Sequence, residues 1–186
     1  MVTTNQIKNV QPLRNLEQIE NMKWSLKRHC SQRDYIMFLV GINTGLRISD
    51  LLKLRTKDVK DKKHITIKEG KMAKPRKIQL TNIYDDLHEY VKTVNSEWLF
   101  PSRKGDKAIT ATQAYRQLNK ASEMVDIYEG IGTDTMRKTF GYWFYRQTKD
   151  VVKLQIIFNH PHPRITLRYI GITDEEIEGN LKDFVL

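Results

Sequence analysis

Residues 32–51 read QRDYIMFLVGINTGLRISDL, and the first fourteen of them decide the fold. The stretch is apolar nearly all the way round a helix. A helix with hydrophobic residues on every side is one buried among other elements. Gly45 supplies the stop, because glycine enters the left-handed conformation without a steric penalty. The sequence therefore predicts a buried central helix ending at Gly45. Arg47 follows at once, and RISDLLKL restarts a helix with Ser49 as its cap. A central helix of this kind needs amphipathic partners around it.

Those partners are legible on both sides. Upstream, NLEQIENMKWSLKRHC opens with Asn15, a good N-cap, and spaces Leu16, Ile19, Met22 and Leu26 at three or four residues. Downstream, the period changes to two. HITIK and PRKIQL alternate as strands do, with EGKMAK as the turn between them, so residues 64–80 read as a β-hairpin. Helical spacing returns in NIYDDLHEYVKTV, with Asn82 as its cap, and again in TATQAYRQLNKASEMV. WLFPSRKGDKAI, with its basic residues, is the loop between them. Gly130 and Gly132 break the chain before TDTMRKTFGYWFYRQT, a helix with aromatics at Phe140, Phe144 and Tyr145. DVVKLQIIF is a short helix capped by Asp150. TDEEIEGNLKDFVL closes the chain with Ile177, Leu181 and Phe184 at helical spacing. The expected fold is mainly α with one small antiparallel hairpin, an α+β arrangement with no linker dividing residues 1–186.

Bulk properties narrow the function classes. A chain of 186 residues with net charge +10 is long enough for one sizeable core, and its charge suits a polyanionic partner. One cysteine, Cys30, excludes an internal disulfide and reads as a packing residue. The longest apolar stretch, YIMFLVGI, is far short of a bilayer span, and the N-terminus has no signal-peptide core, so a cytoplasmic protein without membrane contact is expected. The five histidines show no ligand spacing with Cys30 or with carboxylates, so no metal site is expected. No phosphate-binding glycine loop and no Gly-x-Ser-x-Gly elbow occurs.

What remains is a set of basic residues at element ends. Arg47 stands at a helix start, Lys71 in the hairpin turn, Arg137 in the first turns of its helix, and His160 at the end of a short helix. Taken singly, each is most simply a solvated charge or a helix cap. Together they are similar to one family: NTGLRISDL at Arg47, KEGKMAKPRKIQL at Lys71, TDTMRKTF at Arg137, IFNH at His160 and ITLRYIGI at Tyr169 resemble the motifs of the tyrosine recombinases, or phage-type integrases, in order and in context.

That resemblance implies the fold of a recombinase catalytic domain and a chemistry. The family cuts DNA by attack of a tyrosine on a phosphodiester, leaving a 3′-phosphotyrosine and a free 5′-hydroxyl. Tyr169 would be the nucleophile. Arg47 and Arg137 would hold the non-bridging oxygens, since guanidinium stays charged and forks onto phosphate. Lys71 would protonate the leaving 5′ oxygen. His160 would hydrogen-bond the phosphate or the nucleophile, and Asp50 would orient Arg47. Lys74, Arg76, Lys138, Arg164 and Arg168 are the further expected DNA contacts. No cofactor or metal is implied, because the arginines carry the positive charge. The partner is double-stranded DNA, and the helix over 174–186 would dock on a neighbouring protomer in the DNA-bound assembly.

The sequence departs from the family in two places. Where relatives have His or Lys three residues before the second arginine, this chain has Asp134. A carboxylate there either acts as a base toward Tyr169 or simply caps the helix, a role that suits Asp well; the cap is the expected use. Only 46 residues precede Arg47. They read as part of the catalytic fold, so the chain is expected to be a catalytic domain without an N-terminal core-binding or arm-binding domain, and to bind DNA weakly and with strong salt dependence. Two other functions fit the same residues: a recombinase-like DNA-binding regulator with impaired turnover, and a nicking enzyme of the type IB topoisomerase kind.

Overall fold

The structure is a computed structural model that describes residues 10–68, 75–104, 107–128, 130–173 and 176. Nine α-helices and two strands lie among the described residues. Helix α1 (Leu16–His29) and helix α2 (Gln32–Thr44) lead into two single-turn helices, α3 (Ile48–Leu51) and α4 (Thr56–Val59). Strands β1 (His64–Ile67) and β2 (Arg76–Gln79) follow. After a 3₁₀ turn (Thr81–Ile83) come α5 (Tyr84–Thr93), α6 (Ala111–Glu123), α7 (Thr133–Thr148), α8 (Val151–Phe158) and α9 (Pro163–Tyr169).

Helix α2 is the hub. It packs against α1, α5, α6 and α7, and every residue from Asp34 to Gly41 is buried. Gly45 ends it at φ 63, in the left-handed region, and a Cβ there would run into the Phe140 ring. Any residue with a side chain would meet both penalties, so the stop is specified twice. The two strands pair antiparallel, with Ile65 opposite Ile78, both buried. The hairpin thus turns one apolar pair inward and leaves His64, Thr66, Lys77 and Gln79 exposed.

The apolar interior has two parts. The larger is built mainly from α1, α2, α5, α6 and the hairpin, around Phe38, Met37, Leu26 and Phe100. The smaller is formed by Tyr142, Leu154, Phe158, Ile170 and Ile172, with Tyr169 packed against it. It belongs to α7, α8, α9 and the residues just beyond. Helix α7 joins the two parts, with Met136 buried in the larger and Tyr142 in the smaller.

Residues 10–14 cross the outside of α7 as a strap. Leu13 N donates to Thr139 Oγ1 (2.9 Å), and Trp143 Nε1 donates to Leu13 O (2.9 Å). Arg14 Nη2 donates to Gly171 O (2.7 Å), joining the strap to the turn after α9.

Several local expectations change. Asn15 caps α1 as expected, accepting from Glu17 N, but Leu16 lies outside the core at 61% exposure. Ser49 is inside α3, whose N-cap is Arg47. Asn82 lies in the 3₁₀ turn rather than at a helix cap. Asp134 is not a cap either. Gly132 holds that position, and its N–H donates to Thr135 Oγ1 (3.0 Å), so Asp134 sits free of capping duty in the first turn of α7. The reason is local: the threonine one residue on reaches back and does the capping work. The hairpin turn with Lys71 and Lys74, and the helix expected over 174–186 apart from Glu176, lie outside the described residues. Thr173 and Glu176 exchange reciprocal backbone-to-side-chain hydrogen bonds of 2.9 and 3.2 Å, the pattern that opens a helix.

Candidate active site at the carboxyl end of the central helix

Helix ends leave carbonyl groups without intrahelical partners, and the dipole makes that end negative. Two such ends meet here. Arg137 is buried (2% exposed) in α7. Its Nη1 donates to Gly45 O at the end of α2, and its Nη2 donates to Phe158 O at the end of α8 (2.9 Å). Arg47 Nη2 donates to the same Phe158 oxygen (3.2 Å). Arg76 Nη2 reaches Thr44 O (3.3 Å) from β2. Three guanidiniums therefore converge on the carbonyl ends of α2 and α8. Partial negative charge on those carbonyls makes the cluster of like charges tolerable, and a bound dianion or phosphodiester would satisfy it further.

The Tyr169 phenol enters this cluster from the last residue of α9. Arg137 donates a hydrogen bond to it. The Tyr169 ring stands edge-on to His160 (centroids 5.2 Å) and to Phe158 (5.6 Å). The Phe158 ring lies under the Arg137 guanidinium at 4.2 Å. Burial, then the charge of Asp134, push the phenol up to about 12, against the opposing pull of Arg137 and Arg47. At neutral pH the phenol therefore keeps its proton, and any attack by it would need a base or a charge-stabilising partner.

His160 is set by its neighbours in α8 and α9. Its Nδ1 hydrogen-bonds Thr166 Oγ1 (3.0 Å) from one turn into α9. Its backbone is clasped by Gln155, whose carbonyl accepts from His160 N and whose Nε2 donates to His160 O (3.0 Å). Asn159, at φ 52, turns the chain out of α8, and Pro163 at N1 starts α9. Burial and the nearby Arg137 and Arg47 hold the imidazole below its ordinary value. It is neutral at pH 7, with one ring nitrogen engaged by Thr166 and the other available.

Four expected site residues thus come together: Arg47, Arg137, His160 and Tyr169. The others are placed as follows. Asp134 is exposed on the first turn of α7, close enough to raise the Tyr169 phenol. Asp50 lies 3.9 Å from Lys53. Lys138 was expected on the DNA. It is half-buried, donates to Val10 O (2.7 Å), and stands 5.1 Å from the Tyr169 ring centroid. Arg76 reaches into the guanidinium cluster. Arg164 and Arg168 are exposed on α9. Lys71 and Lys74 lie outside the described residues.

Sequence reasoning missed Thr166, Phe158 and Arg14. Thr166 is fully buried; a hydroxyl on the inward face of a short helix, three residues before the tyrosine, is the signal that could have found it. Phe158 acts through its carbonyl, which sequence does not mark. Among the described residues no group of three or more His, Cys, Asp or Glu side chains could hold a metal ion, and no helix is long and apolar enough to cross a membrane.

Comparison with known proteins gives a consistent answer. The model of the phage integrase family matches residues 14–176. The chain is 46% identical over 177 residues to the "Probable integrase/recombinase YoeC" of Bacillus subtilis (strain 168), covering 94% of this chain and 97% of that protein. It is 27% identical to a tyrosine recombinase of Pseudothermotoga lettingae, covering 83% of this chain but 54% of the relative. In three dimensions it resembles XerA recombinase, with a TM-score of 0.76 at 18% identity, over 97% of this chain and 66% of that one. It also resembles XerH site-specific recombinase in a post-cleavage complex with a palindromic difH substrate, with a TM-score of 0.73 at 23% identity, over 96% of this chain and 55% of that one.

Proposed function

The chain belongs to the phage integrase family, and from that premise we propose that it cuts and rejoins duplex DNA through a 3′-phosphotyrosine intermediate on Tyr169. The observation that carries this reading is the meeting of Tyr169, Arg47, Arg137 and His160 at one point, from four separate stretches of the chain.

In the reaction, the scissile phosphate replaces the Phe158 carbonyl as the partner of Arg47 and Arg137. Two forks on the non-bridging oxygens stabilise the charge that gathers there in the transition state. The Tyr169 oxygen attacks phosphorus, its proton leaves, and the bond from phosphorus to the 5′ oxygen breaks. Lys71 delivers a proton to that 5′ oxygen. His160, neutral and braced by Thr166, hydrogen-bonds the phosphate or the nucleophile. Asp134 lies on the nucleophile's side of the site, where a carboxylate serves as a base for the phenol proton. Rejoining is the same path reversed, with a 5′-hydroxyl as the attacking group. Asp50 positions Arg47, and Lys74, Arg76, Lys138, Arg164 and Arg168 contribute positive charge toward the DNA backbone. The assembly on DNA forms through the segment 174–186, and the protein works in the cytoplasm.

A nicked suicide duplex carrying the protein's own attachment site tests this. The wild type forms an SDS-resistant protein–DNA adduct. Tyr169→Phe lowers adduct yield by about a thousandfold or more, the scale on which a covalent nucleophile counts. An adduct that survives in Tyr169→Phe sinks the assignment of the nucleophile. A second reading, a DNA-binding regulator without turnover, is favoured by Asp134, whose charge raises the phenol further from the range where it ionises. If the wild type forms no adduct while Asp134→His does, that second reading replaces the first. Relaxation of supercoils without joining of two sites would point instead to a topoisomerase-like nicking activity.

A further inference from the structure

At the opposite end of α2 from the arginine cluster lies a cavity of about 750 Å³, between the start of α2, the loop after Phe100 and one face of α6. Thirteen residues of helix separate the two ends, a distance of about 20 Å. The cavity is lined by Arg33, Arg103, Lys104, Arg116 and Lys120, with Asp34 as its carboxylate. Asp34 is already spent. It accepts both Nε and Nη2 of Arg33 (2.9 and 2.8 Å) and the Ser31 hydroxyl (2.6 Å), and it is buried at 1% exposure. Four cations remain in excess. Among the described residues, no carboxylate forms an ion pair with Arg103, Lys104, Arg116 or Lys120.

Their arrangement is not that of scattered surface charge. Arg116 and Lys120 stand four residues apart on one face of α6, and like charges at that spacing repel and weaken a helix. Arg103 and Lys104 line the same cavity from the loop. Arg33 is held in place by Asp34 and by the Pro101 carbonyl, to which its Nη1 donates (2.9 Å). A loop and a helix that both bring cations to one cavity, with the Arg33 guanidinium held fixed beside them, make a site of the size that holds a small ligand. Guanidinium and ammonium groups brought together in this way suit phosphate oxygens.

We propose that this cavity is a second, non-catalytic site that binds phosphate groups. Its ligand carries several phosphates in a row, as a free nucleoside polyphosphate or the backbone of a second DNA segment does. The site rests on its own residues and stands whether or not Tyr169 performs strand transfer.

Inorganic tripolyphosphate is the direct probe, titrated into the full chain by calorimetry at moderate salt. The wild type binds it saturably. The double variant Arg116→Gln, Lys120→Gln keeps the helix-forming chain length and loses affinity by tenfold or more, with an unchanged circular dichroism spectrum. Arg47→Gln leaves this binding in place. The proposal is overturned if the wild type shows no saturable binding, or if Arg47→Gln abolishes it while the double variant does not. The source follows from two further arms. If ATP competes with tripolyphosphate and the protein bound to one labelled duplex does not recruit a second, the ligand is a free polyphosphate. If a second duplex is recruited by the wild type and not by the double variant, it is the DNA backbone.

Discussion

The two apolar clusters of this molecule differ in size and in what they carry. The larger holds most of the buried side chains and none of the four residues that meet at the candidate site. The smaller is five buried residues and a rim of aromatics, and Tyr169 packs directly on it. His160 touches the same Phe158 ring. Small apolar clusters open more readily than large ones, because fewer contacts must be broken. The Tyr169 side of the candidate site is therefore mounted on the smaller cluster, while the larger core backs the arginine-bearing turn after α2. The nucleophile proposed above, Tyr169, thus sits on the cluster with fewer contacts to break.

The largest test of this contrast is a matched pair of lesions. Phe38 and Phe158 are both fully buried, and Phe→Ala in a core costs about 3–5 kcal/mol. Phe158→Ala is expected to lose hydrogen-exchange protection in α8 and α9 while α2 amides keep theirs. Phe38→Ala lowers protection in all elements together. Equal loss everywhere in both variants would show a single cooperative unit and break the comparison.

The next effect is a pH dependence. The Tyr169 phenol has an ordinary value of 10.0 and is pushed up to about 12. Below pH 10 it is neutral in both folded and unfolded chains, and its contribution to stability is complete. As pH rises from 10 toward 12, the unfolded chain ionises first, so that contribution drains away, by about 2 kcal/mol at most for a half-buried group. Tyr35 and Tyr90 in the larger core are shifted up as well, chiefly by burial. The measurement is therefore the difference between wild type and Tyr169→Phe in urea unfolding across that window. An identical alkaline decline in both would mean that the larger core alone governs it.

The smallest effect is at Thr166. Thr166→Val removes the partner of His160 Nδ1 at nearly constant volume, and is expected to cost about 1 kcal/mol. The imidazole, now held below its ordinary 6.5, loses its brace, and its NMR titration should move. Stability linked to His160 is complete above that ordinary value and falls as pH drops through the folded one. An unmoved titration would mean that burial and the two arginines, not the hydroxyl, set the ring.

The sequence revealed the hub helix, its glycine stop, the two strands and four residues that meet at the candidate site, because each rests on a local rule: apolar periodicity, a left-handed turn, or a motif at an element end. It did not reveal features that depend on distant partners. The capping of α7 passed from Asp134 to Thr135 and Gly132 because the threonine hydroxyl was better placed for the Gly132 N–H. Lys138 looked like a free cation until Val10, 128 residues away, met it. The part played by Phe158 belongs to its backbone oxygen, and no side-chain pattern announces that.

The strap over α7 also bears on the order in which the protein comes into being. Arg14 closes on Gly171 across 157 positions, and Trp143 on Leu13 across 130. A chain emerging from the ribosome presents its beginning first and can build the larger core early. The clasp beside Tyr169 has to wait until the chain has been synthesised at least as far as Gly171. Contacts so far apart in sequence form late, so a nascent chain can fold most of its body before the candidate site is complete.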